Sequence, residues 1–568
     1  MHSSQHLRSA LTELHRKSYP AYKSLQGLYD FHTYLLGIDH VQGDPFAAPS
    51  NIHIEISGKK AGFPEYLYDT EKKRITLQDY LTRQLYTQIG RINYKAQGSG
   101  KSGLISISKC SQEVLERSCC QMDPQNGSLY IRIEIGFPAN GRSINAYELI
   151  KILYDILPVC ITNSLYYRNL DANKLNEAAA LCEDQEAARS LLGQFNLAAF
   201  VANGAILPRE SGISAMPMKK ARPFLSPASM EVTLNLPNRG PVKGMGIKSG
   251  VTLIVGGGFH GKSTLLRALE MGVYNHIGGD GRELVITDNS ALKLRAEDSR
   301  YISNVDISLF INHLPGKEDT SAFSTLNASG STSQAANVIE GLEAGTTLFL
   351  IDEDTSATNF MIRDELMQSV VSDQEEPITP FIRRVRALYE KSGISSIIVA
   401  GSSGSFFHEA DSILQMKEYI PIDITTKAKE RAAAFTPSAN RELTYRMPQN
   451  KRCPKATPSL THNERVKIKV TGKDVIQLNQ TLVDLRYLEQ LTDPEQLWTL
   501  AYLLEYAAKK IMKKELTLSQ VVDKLEELLD EKGLPILSPV HYLPANLCRP
   551  RRQEIHACFN RCRDLMFS

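Results

Sequence analysis

Apolar and polar residues alternate along NIHIEIS (51–57) and SLYIRIEIG (128–136), a period of two that predicts strands with one buried face. Helical stretches surround these strands, so an α+β domain is expected over 1–205. The stretch LPRESGISAMPMKKARPFLSPAS (207–229), rich in Pro, Ser and basic residues, breaks the pattern and predicts a linker over 206–230. From 231 short apolar runs alternate with helical patterns. VTLIVGGG (251–258), TLFLIDED (347–354) and SSIIVAGSSG (395–404) end in polar or Gly-rich turns, as buried parallel strands do where they face a ligand crevice. An α/β domain with a parallel sheet is expected over 231–425. Beyond it, 426–568 predicts a mainly helical α+β domain: a strand at ERVKIKV (464–470), helices over roughly 480–530, and a basic helix in RPRRQEIHACFNRCR (549–563). No internal repeat is visible.

Composition changes this picture little. A chain of 568 residues exceeds one core and fits about two to four domains. A hydrophobic content of 42% and a net charge of +2 exclude a disordered chain or a globally basic nucleic-acid protein, so any basic surface is local. The opening MHSSQHLRSALTELHRKSYPAY lacks the apolar core of a secretory leader. No run reaches the roughly 18 apolar residues of a bilayer span. A cytoplasmic protein without a membrane partner is expected. The nine cysteines show no paired spacing, which reads as reduced and mostly buried; His556 beside Cys558 and Cys562 lacks a fourth metal ligand.

The chemistry concentrates in the middle third. Gly256-Gly257-Gly258-Phe259-His260-Gly261-Lys262-Ser263 fits GxxxxGK[ST] between an apolar strand and the helical run that opens at Thr264. Such glycines let backbone N–H groups converge on phosphate oxygens, aided by the positive end of the following helix. Lys262 is placed to reach the β/γ-phosphates and the Ser263 hydroxyl to ligate Mg²⁺. The run Leu348–Ile351 followed by Asp352 and Glu353 predicts a buried strand whose tip meets the metal. Asp352 is expected to hold Mg²⁺ through water, and Glu353 to act as the catalytic group that polarises the attacking water. A solvated acidic turn is the competing reading. Ser329-Gly330-Ser331, 23 residues before Asp352, opens a helical segment and forms a second anion-binding helix start. Ser356-Ala357-Thr358-Asn359 follows Glu353.

GGGFHGKSTLL, RAEDSR, VDIS, ASGSTSQAANVIE, FLIDEDTSATNFMIRDE and EPITPFIRRVRALY closely resemble a family of ABC-class ATPases found in bacteria and kinetoplastids, and the likeness runs nearly end to end. The resemblance implies ATP as nucleotide and a homodimer in which Ser329–Ser331 completes the partner's site. It also implies association with RNA, because the kinetoplastid member associates with mitochondrial RNA editing. Two departures from transporter-type ABC ATPases stand out. The signature reads SGSTSQ, and only about thirty residues separate RAEDSR from it, leaving little room for the helical subdomain that docks on membrane domains. Ser402 or Ser403 stands where a switch histidine is expected; a hydroxyl contacts a γ-phosphate without supplying imidazole charge, so slow hydrolysis is expected.

Weaker signals stay open. Glu297, 35 residues beyond Lys262, sits where a Q-loop contacts metal or water, or else in a structural ion pair. Gly98-Ser99-Gly100-Lys101-Ser102-Gly103 looks like half a P-loop, but Lys95 stands where the first glycine is needed. Residues 427–455 carry eight Lys/Arg against two Asp/Glu. With Arg549, Arg551 and Arg552 they are the candidate phosphate contacts, against the bland alternative of a solvated or structurally paired face. The competing function classes are an ATP-dependent enzyme on a small molecule or protein, and a transporter motor.

Overall fold

The computed structural model describes every residue except 93–97, 364–369, 371–375, 402–403, 436–444, 450, 462–465 and 539. The described chain forms two compact units, Met1–Glu183 with Lys532–Arg549, and Asp184–Glu531 with Pro550–Ser568.

In the first unit the alternation seen in the sequence becomes sheet. Ser50–Ile56 pairs antiparallel with Leu35–His40 on one side and Leu129–Ile135 on the other. Their inward residues Leu36, Ile52, Ile54, Ile131 and Ile133 pack in one core with Leu81 and Leu85 of the helix Glu71–Ile92, and with Leu149 and Leu153. The outward residues of Ser50–Ile56 stay half-buried, so each strand buries one face only, as its period demands.

The second unit holds the continuous apolar runs. Leu292–Leu294, Leu348–Asp352, Ser395–Val399, Val251–Val255 and Ser412–Lys417 lie in that order as parallel neighbours, and Ile420–Asp423 closes the edge antiparallel. Both faces of such a sheet are covered, which is why these runs show no polar alternation. A second, antiparallel sheet has the order Glu231–Leu236, Gly240–Lys248, Leu197–Ala202, Val285–Thr287. The chain is thus a mixed α/β protein built on a P-loop domain.

Domain limits read from composition shift here. Leu197–Ala202 is buried along its whole length and is an internal strand of the antiparallel sheet, so the second unit begins before the expected boundary near 205. The Pro- and Ser-rich stretch is no loose linker at its start. Arg209 is ion-paired with the fully buried Asp280, Ile206 donates its amide to Gly281, and Arg282 donates to the Leu207 carbonyl. The C-terminal region divides between the units. Its larger share carries a three-stranded meander (Ile468–Thr471, Val475–Leu478, Thr481–Asp484) and a helix Pro494–Tyr506 opened by an Asp493/Gln496 capping box. The helix Arg552–Arg561 is followed by a strand, Leu565–Phe567, that pairs back on Pro454–Ala456. All nine cysteines are thiols outside any disulfide, seven of them buried. Among the described residues no helix is long and apolar enough to cross a membrane, and no cluster of three metal-ligating side chains occurs.

Candidate functional site

The P-loop follows Val251–Val255 and turns into the helix Lys262–Met271. Two glycines are required by space as well as by dihedral angle. A Cβ on Gly256 (φ +136°) would lie 2.5 Å from the Met416 carbonyl oxygen, and one on Gly261 (φ +95°) 2.8 Å from the Tyr419 ring. Gly257 and Gly258 are exposed; a Cβ on Gly257 would meet the edge of the His260 ring at 3.1 Å, and one on Gly258 would face open space. Phe259 is fully exposed at φ 63°. The His260 Nδ1 accepts the Glu418 amide at 2.9 Å, and its carbonyl accepts the Tyr419 amide at 3.2 Å, pinning the loop from below. Lys262 folds over it: Nζ donates to the carbonyls of Gly256 (2.7 Å) and Gly257 (2.9 Å). The ammonium therefore lies along the cradle where phosphate charge belongs. Ser263 and Thr264 stand in the first turn, Ser263 exposed.

Strand register brings the acidic pair to the same end. Val399 lies opposite Ile254 on one side and Asp352 on the other. Two strand spacings, about 10 Å, thus separate the P-loop strand from Asp352. Asp352 is buried and accepts the Asp354 amide. Burial pushes its carboxyl above the ordinary range; the Lys293 ammonium, itself paired with Glu270 at 2.9 Å, pulls the other way. Glu353 is half-buried, and its Oε2 accepts the Gly401 amide at 2.6 Å, which ties it to the end of the intervening strand. Ser402 and Ser403, the next two residues, lie outside the described residues. An exposed serine at a helix start and a carboxylate on the next strand but one suit a hydrated Mg²⁺ between phosphates, which needs few protein ligands.

The signature segment begins on an exposed cap. The Ser329 side chain accepts the Thr332 amide, and the helix Gly330–Glu343 runs inward from it, with Gly330 and Ser331 half-buried. Gln334, quoted in the motif but given no role from sequence, is fully buried. Its Nε2 donates to Ser356 Oγ (2.9 Å) and its Oε1 accepts the Ala357 amide (2.8 Å), so it fixes the loop after Glu353. An amide side chain supplies both halves of such a clamp, a donor and an acceptor, from one group.

Glu297 takes the ion-pair alternative. Its side chain is 5% exposed, with Oε1 2.5 Å and Oε2 3.1 Å from the Arg561 guanidinium and Oε1 3.0 Å from Asn337 Nδ2. It is not presented to a phosphate, because buried carboxylates keep their charge only with partners. The nominated arginines are also engaged by protein acceptors. Arg549 pairs with Glu116. Arg551 pairs with Glu554 at 2.6 Å, donates to the carbonyls of Asn289 and Ala291, and stacks on Tyr274. Arg552 pairs with Asp523 and Glu526 and donates to the Ala344 carbonyl. The amides of Ser99 and Lys101 go to the carbonyls of Ala139 and Pro45, so the half P-loop at 98–103 is a packed turn.

A P-loop on a parallel sheet, with an acidic strand tip and a capped signature helix at hand, defines an ABC-type ATPase domain. Family models agree along the chain: the P-loop domain of ABC ATPases matches 171–452, the N-terminal domain of ABC-class ATPases 4–168, and the MRB1590 C-terminal domain 467–568. The chain belongs to this family of ABC-class ATPases. It is 31% identical over 262 residues to the uncharacterized protein MJ1628 of Methanocaldococcus jannaschii. That match takes in 44% of this chain and 57% of the relative, so the chain spans little more than half of the curated protein it resembles. Solved structures that resemble it include CbiO1 of Clostridium perfringens, part of the ABC transporter complex CbiONQ (15% identity, 42% of this chain and 94% of that one, TM-score 0.27). MJ1267, an ATP-binding cassette of an ABC transporter, gives 15% identity, 34% and 87% coverage, and a TM-score of 0.23. At those scores neither carries an argument about this chain.

Proposed function

We propose that the protein is a homodimeric ATPase that binds and hydrolyses Mg·ATP at two shared sites and couples nucleotide state to gripping a nucleic acid, most favourably RNA. The observation that carries the ATPase part is Lys262 laid along the glycine cradle, with Glu353 fixed to the neighbouring strand end through Gly401. Gly256–Gly261 and the start of the following helix bind the phosphates, and Lys262 neutralises charge as the γ-phosphoryl departs. Ser263 and Asp352 hold Mg²⁺, which when bound draws charge from the phosphate oxygens. Glu353 accepts the proton of the attacking water.

The dimer reading is supported by the capped helix start at Ser329–Ser331, where Ser329 is exposed and Gly330 and Ser331 are half-buried. Placed on a second copy's γ-phosphate, it completes a site. The RNA reading rests on the family's kinetoplastid member and on exposed lysines in the C-terminal region, namely Lys467, Lys469, Lys473, Lys510, Lys513 and Lys514. Lys469 is exposed on the strand Ile468–Thr471 and Lys467 is exposed just before it, and these lysines replace Arg549, Arg551 and Arg552 as the candidate phosphate contacts.

Light scattering tests the assembly. With ATP, Glu353→Gln is expected to trap a closed dimer and Ser329→Arg to prevent closure; the same particle for both, with or without ATP, refutes shared sites. Filter binding with single- and double-stranded RNA and DNA tests the partner. Salt-sensitive, sequence-tolerant binding supports the reading, and no binding in any nucleotide state ends it.

A further inference from the structure

The signature helix is held along its buried length by groups from the C-terminal region. Arg561, on the helix Arg552–Arg561, donates to Glu297 and, at 3.1 Å, to Asn337 Oδ1. Asn337 also accepts from Arg300 at 2.5 Å and donates to the Arg295 carbonyl at 2.9 Å. Arg300 pairs with Glu340, and Arg452 with Glu343. Arg452 further donates to Asn560 at 2.9 Å and lies over the Phe567 ring. Glu297, Asn337, Glu340, Arg300, Arg452 and Arg561 are all buried.

One branch of this network reaches the signature loop. The Glu297 amide donates to Ser333 Oγ at 2.9 Å, and Ser333 Oγ donates to the Gly330 carbonyl at 2.9 Å. Arg561 holds the Glu297 side chain, the Glu297 backbone holds Ser333, and Ser333 holds Gly330. The Arg561–Glu297 and Glu297–Ser333 links are buried and the Ser333–Gly330 link is part-buried, each with its partner fixed, so a shift of the C-terminal helix is passed on rather than absorbed by side-chain slack. Arg561 lies more than two hundred residues from every one of these groups in sequence, inside the region matched by the MRB1590 C-terminal model.

We infer that Arg561 is a positioning residue for the signature loop: through Glu297 and Ser333 it sets where Gly330 and Ser331 stand, and so makes the C-terminal region a control on hydrolysis at the partner's P-loop. The inference rests on the shared-site dimer proposed above. It gives the Q-loop position of this chain a different task. Glu297 transmits the position of an appended domain to the signature helix and does not itself touch nucleotide. A ligand that displaces the C-terminal helix acts on the opposite protomer's ATP.

The test uses full-length chains co-expressed with two tags, so that heterodimers can be purified. Glu297→Gln with Arg561→Met neutralises both buried partners together and avoids stranding one charge. As a homodimer it is expected to bind ATP as tightly as the parent and to lose about tenfold in kcat. Paired with Lys262→Ala, it should turn over ATP at the rate of a control heterodimer joining Ser329→Ala, which removes the cap without the bulk that blocks closure, to Lys262→Ala, since each keeps one complete site of two. If the control turns over and the double-variant heterodimer stays as slow as its homodimer, Arg561 acts within its own chain or only on folding, and the inference is wrong. A dead control overturns the shared sites and this inference with them. Should the double variant fail to fold, Arg561→Lys, which keeps charge but loses the fork that spans Glu297 and Asn337, is read in the same heterodimers against the same outcomes.

Discussion

Replacing Lys262 by alanine isolates the electrostatic part of nucleotide binding, because the loop's shape does not depend on that side chain. His260 is held by the amides of Glu418 and Tyr419, and Gly256 and Gly261 are fitted against Met416 and Tyr419. Removing Lys262 frees two carbonyls, Gly256 and Gly257, on a loop whose tip is open to water, so they rehydrate and the fold loses little. What is lost on binding is the charge-assisted contact to the β/γ-phosphates, worth about 1.5–3 kcal/mol. At 1.4 kcal/mol per decade this is a rise in Kd of about 10- to 150-fold. Titration calorimetry with Mg·ATP reads the affinity directly, and a melting curve without nucleotide should move by less than about 2 °C for a change below 0.5 kcal/mol. An unchanged Kd refutes the P-loop assignment. A weakened Kd with a large fall in melting temperature refutes the claim that His260 and the two glycines shape the loop alone.

Gly256→Ala should cost about 1–3 kcal/mol in backbone strain and abolish ATP binding, because its Cβ must displace the Met416 carbonyl; thermal melting and calorimetry check both. Glu353→Gln is expected to bind ATP normally and release phosphate far more slowly, as an amide accepts no proton, measured by single-turnover phosphate release. Burial alone would raise the Glu297 carboxyl, but Arg561 and Arg300 hold it below its ordinary value. Such a group adds stability that is complete above the unfolded value of about 4.3 and is lost as pH falls through the lower folded value. Melting temperatures should therefore decline below about pH 4, and less steeply in Glu297→Gln.

Much of the nucleotide site was legible because its requirements are local. Glycine spacing, a strand before and a helix after specify a phosphate cradle within a dozen residues, and Asp352 and Glu353 follow from one apolar run. The resemblance to ABC-class ATPases likewise rested on strings of adjacent residues. What was not legible is long-range. Leu197–Ala202 reads as the end of the first domain, yet it is buried between strands more than forty and eighty residues downstream. Arg209 looks like linker charge until Asp280 is beside it. Gln334 sits in the quoted signature, but its clamp on Ser356 and Ala357 needs a loop that sequence places only roughly. The ion-pair alternative for Glu297 could be framed in advance; its partner, Arg561, could not.

The arginines of RPRRQEI show why a local charge run is a weak guide to a binding surface. In sequence they are neighbours and their charges add. In the structure their counter-charges come from separate places: Glu116 for Arg549, Glu554 for Arg551, and Asp523 with Glu526 for Arg552. A buried guanidinium must find acceptors or forfeit hydration, so the more deeply such a run is packed, the less field it projects. Arg551→Glu should therefore act on the fold first. It sets a carboxylate against Glu554 and the carbonyls of Asn289 and Ala291, and breaking a buried pair costs about 3–5 kcal/mol. Lysines end in a strongly hydrated ammonium and stay at the surface more readily, and Lys467 and Lys469 do so at the start of the strand Ile468–Thr471. Reversing those two to glutamate should leave the melting temperature in place while reducing the salt dependence of RNA binding by about two phosphate contacts. Normal RNA affinity in that variant, with affinity lost in Arg551→Glu at unchanged stability, would return the binding surface to the arginines and overturn the assignment made from burial.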